Sequence, residues 1–387
     1  MTAARAERVV LVCEATGGGV GKHVLDLAEH LPRHGFEVLV VHAASRAEAD
    51  FVARLARSSE HGYRVARVDV ERAPGPRDAL GAWQLHRAVR AFGGADVMHG
   101  HSAKGGALAR LARWGCARQV FYTPHAFYAQ APSLSPMVRR FYGLAEYGLA
   151  LATDRVIATS NEEARLARSL GIPDRKVTVV ENGIEVRSDD ELARTRASAR
   201  AVLGMSADDV VVGFVGRLVP QKAPALAAQV FQRVAHACSS VRFVLAGDGP
   251  EAPAVSRSLE ESGLGEKVKW LRRASGRDVT PAMDLLLVTS HYEGFPYVML
   301  EALDAGCAIV TTAVGGAADC VVDGRNGAIV RSSDAAALAD AVRRFVEAPD
   351  RLDQARQVSR THARRFEIGR MLDRLVTLYR SDARDAA

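Results

Sequence analysis

"RVVLVCEATGGGVGKHVLDLAEHLPRHG", residues 8 to 35, reads as strand, glycine turn and helix in one unbroken phrase. Val9 to Cys13 is a continuous apolar, β-branched run with no alternation, the pattern of a strand buried on both faces. The glycines of "ATGGGVG" then break the strand. "KHVLDLAEHLPRHG" places apolar residues at helical spacing and stops at Gly35.

The phrase repeats along the chain. "FEVLVVHA" (36 to 43), "ADVMHGHS", "RQVFYTPHA", "DRVIATS" and "KVTVVENGIE" are further short apolar runs, each ending in a polar loop. After a polar stretch, "RSDDELARTRASARAVLGMSADD" (187 to 209), a second series begins with "VVVGFVGRL", "VRFVLAGDGP", "KVKWL", "DLLLVTS" and "AIVTTAVGG". Apolar strands alternating with helices predict parallel sheets covered on both faces, so the expected fold is α/β with two Rossmann-like, doubly wound domains. A chain of 387 residues agrees, because one core rarely grows that large. The predicted domains are 1–187 and 188–365, and the expected active site is the cleft on which both sheets' carboxyl ends open.

Composition narrows the setting. Hydrophobic residues at 48% and charged residues at 25% describe a globular protein. The net charge of +6 is compatible with nucleic acid, anionic lipid or phosphorylated substrates, and no nucleic-acid recognition motif accompanies it. Five cysteines without metal-binding spacing read as reduced thiols in a cytoplasmic protein, and no apolar run reaches the length of a membrane span.

Four stretches carry candidate chemistry. In "GFVGRLVPQKAP" a strand runs into Gly216, and Arg217 and Lys222 follow in the loop before a helix starting near Ala223. Glycine-loop N–H groups, a helix N-terminus and two cations suit a diphosphate, although neither GxxxxGK[ST] nor GxGxxG is present. The glycines of "ATGGGVGKH" allow either close approach to a phosphate or sugar, or tight helix packing. His125 in "YTPHAF" follows a strand directly and can donate a hydrogen bond to a sugar hydroxyl. His99 and His101 in "MHGHS" read as a surface lining, with no third metal ligand evident. In "SHYEGFPYVMLEALDAGCAIV" (290 to 310), Gly294 permits a sharp turn, Pro296 fits the first helical position and Gly306 closes the helix. Glu293 therefore belongs to the loop and Glu301 to the helix. No Asp-x-Asp is present to hold a divalent metal on a nucleotide diphosphate.

Taken in order, "GGGVGKHVLDLAEHL", "HGHSAKGGALARLA", "YTPHAF", "ENGIE", "FVGRLVPQK", "LAGDGPE" and "EGFPYVMLEALDAG…TTAVGG…VVDGRNG" resemble the family 4 glycosyltransferases of GT-B fold. The resemblance implies a metal-independent, retaining transfer of a hexose-type sugar from a nucleotide-sugar, with no further cofactor. UDP is the more frequent donor nucleotide and GDP the alternative. It also implies roles. Glu293 lies near the donor sugar and Glu301 on the ribose; Arg217 and Lys222 neutralise the leaving diphosphate; His125 stands near the sugar; Gly18 and Gly19 face the diphosphate. Gly216, Gly294, Phe295, Pro296 and Val298 complete the donor-binding set. Ala223, Ala308 and Asp319 depart from the family's usual glycine, proline and glutamate. "RFEIGRMLDRLVTLYRS" resembles the C-terminal helix that returns to the first domain, about 366–387. The implied acceptor is a glycan or lipid-linked sugar, in cell-surface polysaccharide synthesis. Lys104, Arg110, Arg113, Arg118, Arg139 and Arg140 near Trp114, Phe141 and Tyr142 are compatible with peripheral docking on anionic membrane, or with helices packed on the sheet with basic outer faces. A nucleotide-sugar epimerase and a glycoside hydrolase stand as rival readings.

Overall fold

The computed structural model describes residues 5–43, 48–71, 73–131 and 134–384. The chain divides into two compact units, Met1–Asn182 with Gly369–Ala387, and Gly183–Ile368. The first crossing therefore falls five residues ahead of the expected 187. Ile184 bridges to Glu367, and the Arg187 N–H and guanidinium both bond Asp304, which ties 183–187 to the second unit. The polar stretch after it is the helix Asp189–Leu203, capped by Ser188, whose side chain accepts from the Glu191 N–H.

The first unit holds strands β1 (Glu7–Cys13), β2 (Phe36–Ala43), β3 (Tyr63–Val68), β4 (Ala95–His101), β5 (Ala117–Thr123), β6 (Arg155–Ala158) and β7 (Val177–Val179), all parallel in the order 3-2-1-4-5-6-7. The second holds β8 (Val210–Val215), β9 (Val241–Ala246), β10 (Val268–Leu271), β11 (Leu285–Val288), β12 (Ala308–Thr312) and β13 (Gly327–Val330), in the order 10-9-8-11-12-13. Each sheet reverses direction of growth beside its first strand, between β1 and β4 and between β8 and β11. Outside the carboxyl ends at such a reversal the two flanking loops diverge and leave room for a ligand.

Two strands lie outside the apolar runs of the sequence, and both sit at sheet edges. β3 reads "YRVARV" with Arg64 and Arg67 in it, and β13 begins at a glycine. An edge strand has a neighbour on one side only, so it needs no continuous apolar run.

Side chains alternate between two layers. Leu285 and Leu287 of β11 pack with Phe231, Phe243, Leu338 and Phe345, while Leu286 and Val288 pack with Met299, Leu300, Leu303 and Val279. This two-faced burial is why the strands read as uninterrupted apolar runs. The final helix, Ile368–Arg384, belongs from Gly369 onward to the first unit, where buried Tyr379 packs on Phe36 and Phe121. Residues 385–387 of the expected helix lie outside the described residues.

Candidate active site

In the second unit, β8 runs into Gly216, whose N–H donates to the Ala246 carbonyl. The turn after β9, "AGDG", lies directly on this one. A Cβ at Gly247 would overlap the Gly216 carbonyl oxygen, and one at Gly249 the Leu218 carbonyl. Pro220–Lys222 then forms a single 3-10 turn, followed by Ala223 at φ 46°, ψ 57° and the helix Pro224–Ala237. This turn is laced to the segment after β11. Thr289 Oγ1 donates to the Lys222 and Ala223 carbonyls, the His291 N–H to Gln221 O, and Gln221 Nε2 to Tyr292 O.

Those bonds bring Lys222 Nζ to 2.5 Å from Glu293 Oε1, across 71 positions of sequence. Glu293 is buried, with Gly294, Phe295 and Pro296 beside it. Room for this loop comes from the glycine pair after β12: a Cβ at Gly315 would strike the Glu293 and Gly294 carbonyls, and one at Gly316 the Phe295 ring. Gly294 itself does not adopt positive φ; Gly316 does, at 76°. Pro296 is the N-cap rather than the first helical residue, because its ψ of 122° is extended; the helix is Tyr297–Ala305, with Val298 partly buried on its first turn. Gly306 ends it at φ 74°. Glu301 sits within the helix with its carboxylate against Gly276, where a Cβ would overlap Oε2. Arg217 is exposed and forms no ion pair among the described residues, which leaves its guanidinium open to an anion.

In the first unit, Gly18 takes φ 61° at the start of the helix Gly18–His30, with Gly18 and Gly19 exposed. Gly21 is held by packing, since a Cβ there would meet the Thr16 carbonyl. His125 follows β5 at φ 55°, and Ala126 follows at φ 91°. Two successive non-glycine residues in the left-handed region are strained, so something must hold them. Glu163 does so: its buried carboxylate accepts from the Ala126 N–H (2.6 Å), the Thr159 N–H (2.6 Å) and Thr159 Oγ1 (2.8 Å). Burial raises the Glu163 pKa, and those three hydrogen bonds pull it back.

His99 and His101 do not line a surface; both are fully buried. They join His23 and His125 in a cluster of four imidazoles. His101 Nδ1 is 3.2 Å from His125 Nε2, the His99 and His101 rings are 4.1 Å apart, and those of His23 and His125 are 4.8 Å apart. His99 bonds Tyr379 Oη (2.6 Å) and Thr123 Oγ1 (2.8 Å). Burial pushes His23 down to about 4 and His99, His101 and His125 well below the usual imidazole value, so all four are neutral near pH 7. His23, His101 and His125 each offer a ring nitrogen within 4.8 Å of the others, which is a group with the spacing to hold a metal ion. The third ligand absent from the sequence reading is His23, drawn from the first helix.

Two family models cover the chain in succession: "Glycosyltransferase Family 4" matches residues 17–188 and "Glycosyl transferases group 1" residues 195–362. The D-inositol 3-phosphate glycosyltransferase of Mycolicibacterium paratuberculosis is 30% identical over 95% of this chain and 86% of its own length. This chain belongs to the group 1/family 4 glycosyltransferases. Solved structures agree at the level of GT-B fold: Anabaena Alr3699/HepE in complex with UDP and glucose (TM-score 0.79, 21% identity, 97% of this chain and 99% of that one) and sucrose-phosphate synthase from Thermosynechococcus elongatus (TM-score 0.78, 21% identity, 98% and 100%). For a glycosyltransferase of this family, the paired glycines Gly247/Gly249 and Gly315/Gly316 now have a physical place. They are the clearances that seat the Lys222 and Glu293 turns. Their signal in sequence is two glycines within four residues of a strand's end.

Proposed function

We propose that the chain is a retaining, metal-independent hexosyltransferase. It uses a UDP-sugar, with a GDP-sugar as the alternative, and a glycan or lipid-linked hydroxyl as acceptor, at the inner face of the cytoplasmic membrane in cell-surface polysaccharide synthesis. The observation that carries the reading is the Lys222–Glu293 pair at the β8/β11 reversal, with exposed Arg217 beside it. The UDP complexes of the HepE protein favour UDP.

In this mechanism the bond between the anomeric carbon and the β-phosphate oxygen breaks, and the electron pair leaves with the diphosphate. Lys222 and Arg217 take up the developing charge in a partly dehydrated site, where fixed charges act most strongly. The acceptor oxygen bonds the oxocarbenium-like carbon from the same face, and its proton passes to the departing phosphate oxygen. Glu293 keeps Lys222 in place and meets the sugar hydroxyls; Glu301 takes the ribose; His125, neutral and fixed at a strained turn, donates a hydrogen bond to the sugar. A second acceptor, an inositol phosphate, is favoured by the 30% identical relatives of that printed activity.

Incubation with UDP-glucose or GDP-mannose, with either acceptor, should release nucleoside diphosphate and form a product whose anomeric configuration, read by NMR, matches the donor. Lys222→Ala should lower kcat by about 100-fold or more, and EDTA should leave turnover unchanged. An isomerised donor without free diphosphate, or cleavage of simple glycosides without nucleotide, overturns the reading.

A further inference from the structure

Between Asp96 and Glu146 the sequence contains six lysines and arginines and no aspartate or glutamate. Four of these cations answer carboxylates from neighbouring segments: Lys104 with Asp78, Arg110 with Glu146, Arg113 with Asp154 and Arg118 with Asp96. Arg139 and Arg140 are exposed and form no ion pair among the described residues. Both stand on the helix Pro136–Ala150, which is buried only at Glu146 and Ala150.

The remaining surface of that helix is unusually apolar. Met137 is 83% exposed, Phe141 64%, Leu144 62% and Leu151, one residue past the end, 78%. Spacings of four, three and seven residues put these side chains within one stripe at 100° per residue, with bare Gly148 in the same line. Trp114, 74% exposed, extends the stripe sideways. Arg113, its neighbour, donates to the Ala152 carbonyl (3.2 Å) and bonds Asp154, which fastens the Trp114 turn to the helix's C-terminal end. No helix among the described residues is long and apolar enough to cross a membrane.

We propose that this helix, with Trp114 at its side, is an interfacial anchor that docks on an anionic lipid bilayer. A helix of this length lies in the interface plane with its apolar stripe among the acyl chains and its cations at the headgroups. A second copy of the chain is a poorer occupant, because it would set Arg139 and Arg140 against the same pair and offer no exposed carboxylate from this helix. The inference rests on the transferase reading only for its purpose, delivery of the site to a lipid-linked acceptor; the docking itself is read from this surface.

The test is flotation of the full chain with phosphatidylcholine vesicles and with vesicles containing 30% phosphatidylglycerol, at low and physiological salt. The expected result is partition to the anionic vesicles, weakened by salt and reduced tenfold or more in both Phe141→Asp/Leu144→Asp and Arg139→Glu/Arg140→Glu. Each variant should keep the wild-type melting curve and the release of UDP with a soluble acceptor, so loss of docking and loss of the transferase reading are separate results. The proposal is overturned if the chain fails to float with anionic vesicles or if both variants float as wild type does. It is also overturned if the wild-type chain is a dimer that Phe141→Asp/Leu144→Asp converts to monomer.

Discussion

Ala223 carries a Cβ where the backbone takes a left-handed conformation, φ 46° and ψ 57°, that costs an L-residue on the order of 1–2 kcal/mol. The strain is tolerated because the Ala223 N–H bonds Pro220 and Thr289 grips the two carbonyls on either side of the turn. The family's usual glycine at this position therefore has a conformational reason. Ala223→Gly should stabilise the protein by about 1 kcal/mol after allowing for the glycine's extra unfolded-state entropy. Urea denaturation checks it; a lowered midpoint would mean that the turn relaxes with the substitution. Ala126 and His125 are the same device in the other unit, with Glu163 as the clamp. In sequence Glu163 is only an acid in the first turn of a helix, since Ala126, whose N–H it accepts from, lies 37 residues away.

At the scale of elements, a buried carboxylate organises two peripheral helices. Asp284, just ahead of β11, receives Arg196 and Arg200 from the helix Asp189–Leu203 and Arg356 from the helix Pro349–Ala363, and accepts from the Val211 N–H. Asp304 does likewise for Arg187 and Arg360. Removing one member of such a buried set leaves charges unpaired, so Asp284→Ala should cost about 3–5 kcal/mol in chemical denaturation, and Asp284→Asn less. Equal effects of the two would assign the loss to shape rather than charge. The polar composition of 187–209 concealed this helix's attachment: Arg196 and Arg200 stand on its packing face beside Leu192, Ala199 and Leu203, and hydrophobic periodicity does not register arginines.

At the scale of the whole molecule, the histidine cluster sets how the first unit responds to acid. His23 is pushed from 6.5 to about 4 by burial, so between those values the unfolded chain binds the proton and the folded chain does not. Stability is thus full above pH 6.5 and falls as pH drops toward 4. A shift of that size corresponds to about 3 kcal/mol. His99, His101 and His125 act in the same direction, and Glu163, whose pKa is raised, acts in the opposite one. Calorimetry from pH 7 to pH 4 should show the first unit's transition falling steeply, and His23→Asn should flatten that dependence. A slope unaltered by His23→Asn would place the acid sensitivity outside the cluster.

The amino-acid order by itself determined two parallel, doubly wound sheets, the glycine turns at strand ends and the stretches bearing Arg217, Lys222, Glu293 and Glu301. Each of these is written within some twenty residues, as apolar runs, helical spacing and turn chemistry. Tertiary structure alone decided which turns meet. Lys222 finds Glu293 because strand order 10-9-8-11 sets β8 beside β11, and His23 finds His101 because β1 lies beside β4. The edge strands, the glycine clearances and the buried imidazoles follow from that placement. Local pattern records what a segment can become; which distant segment it will face depends on strand pairing and packing across the whole unit.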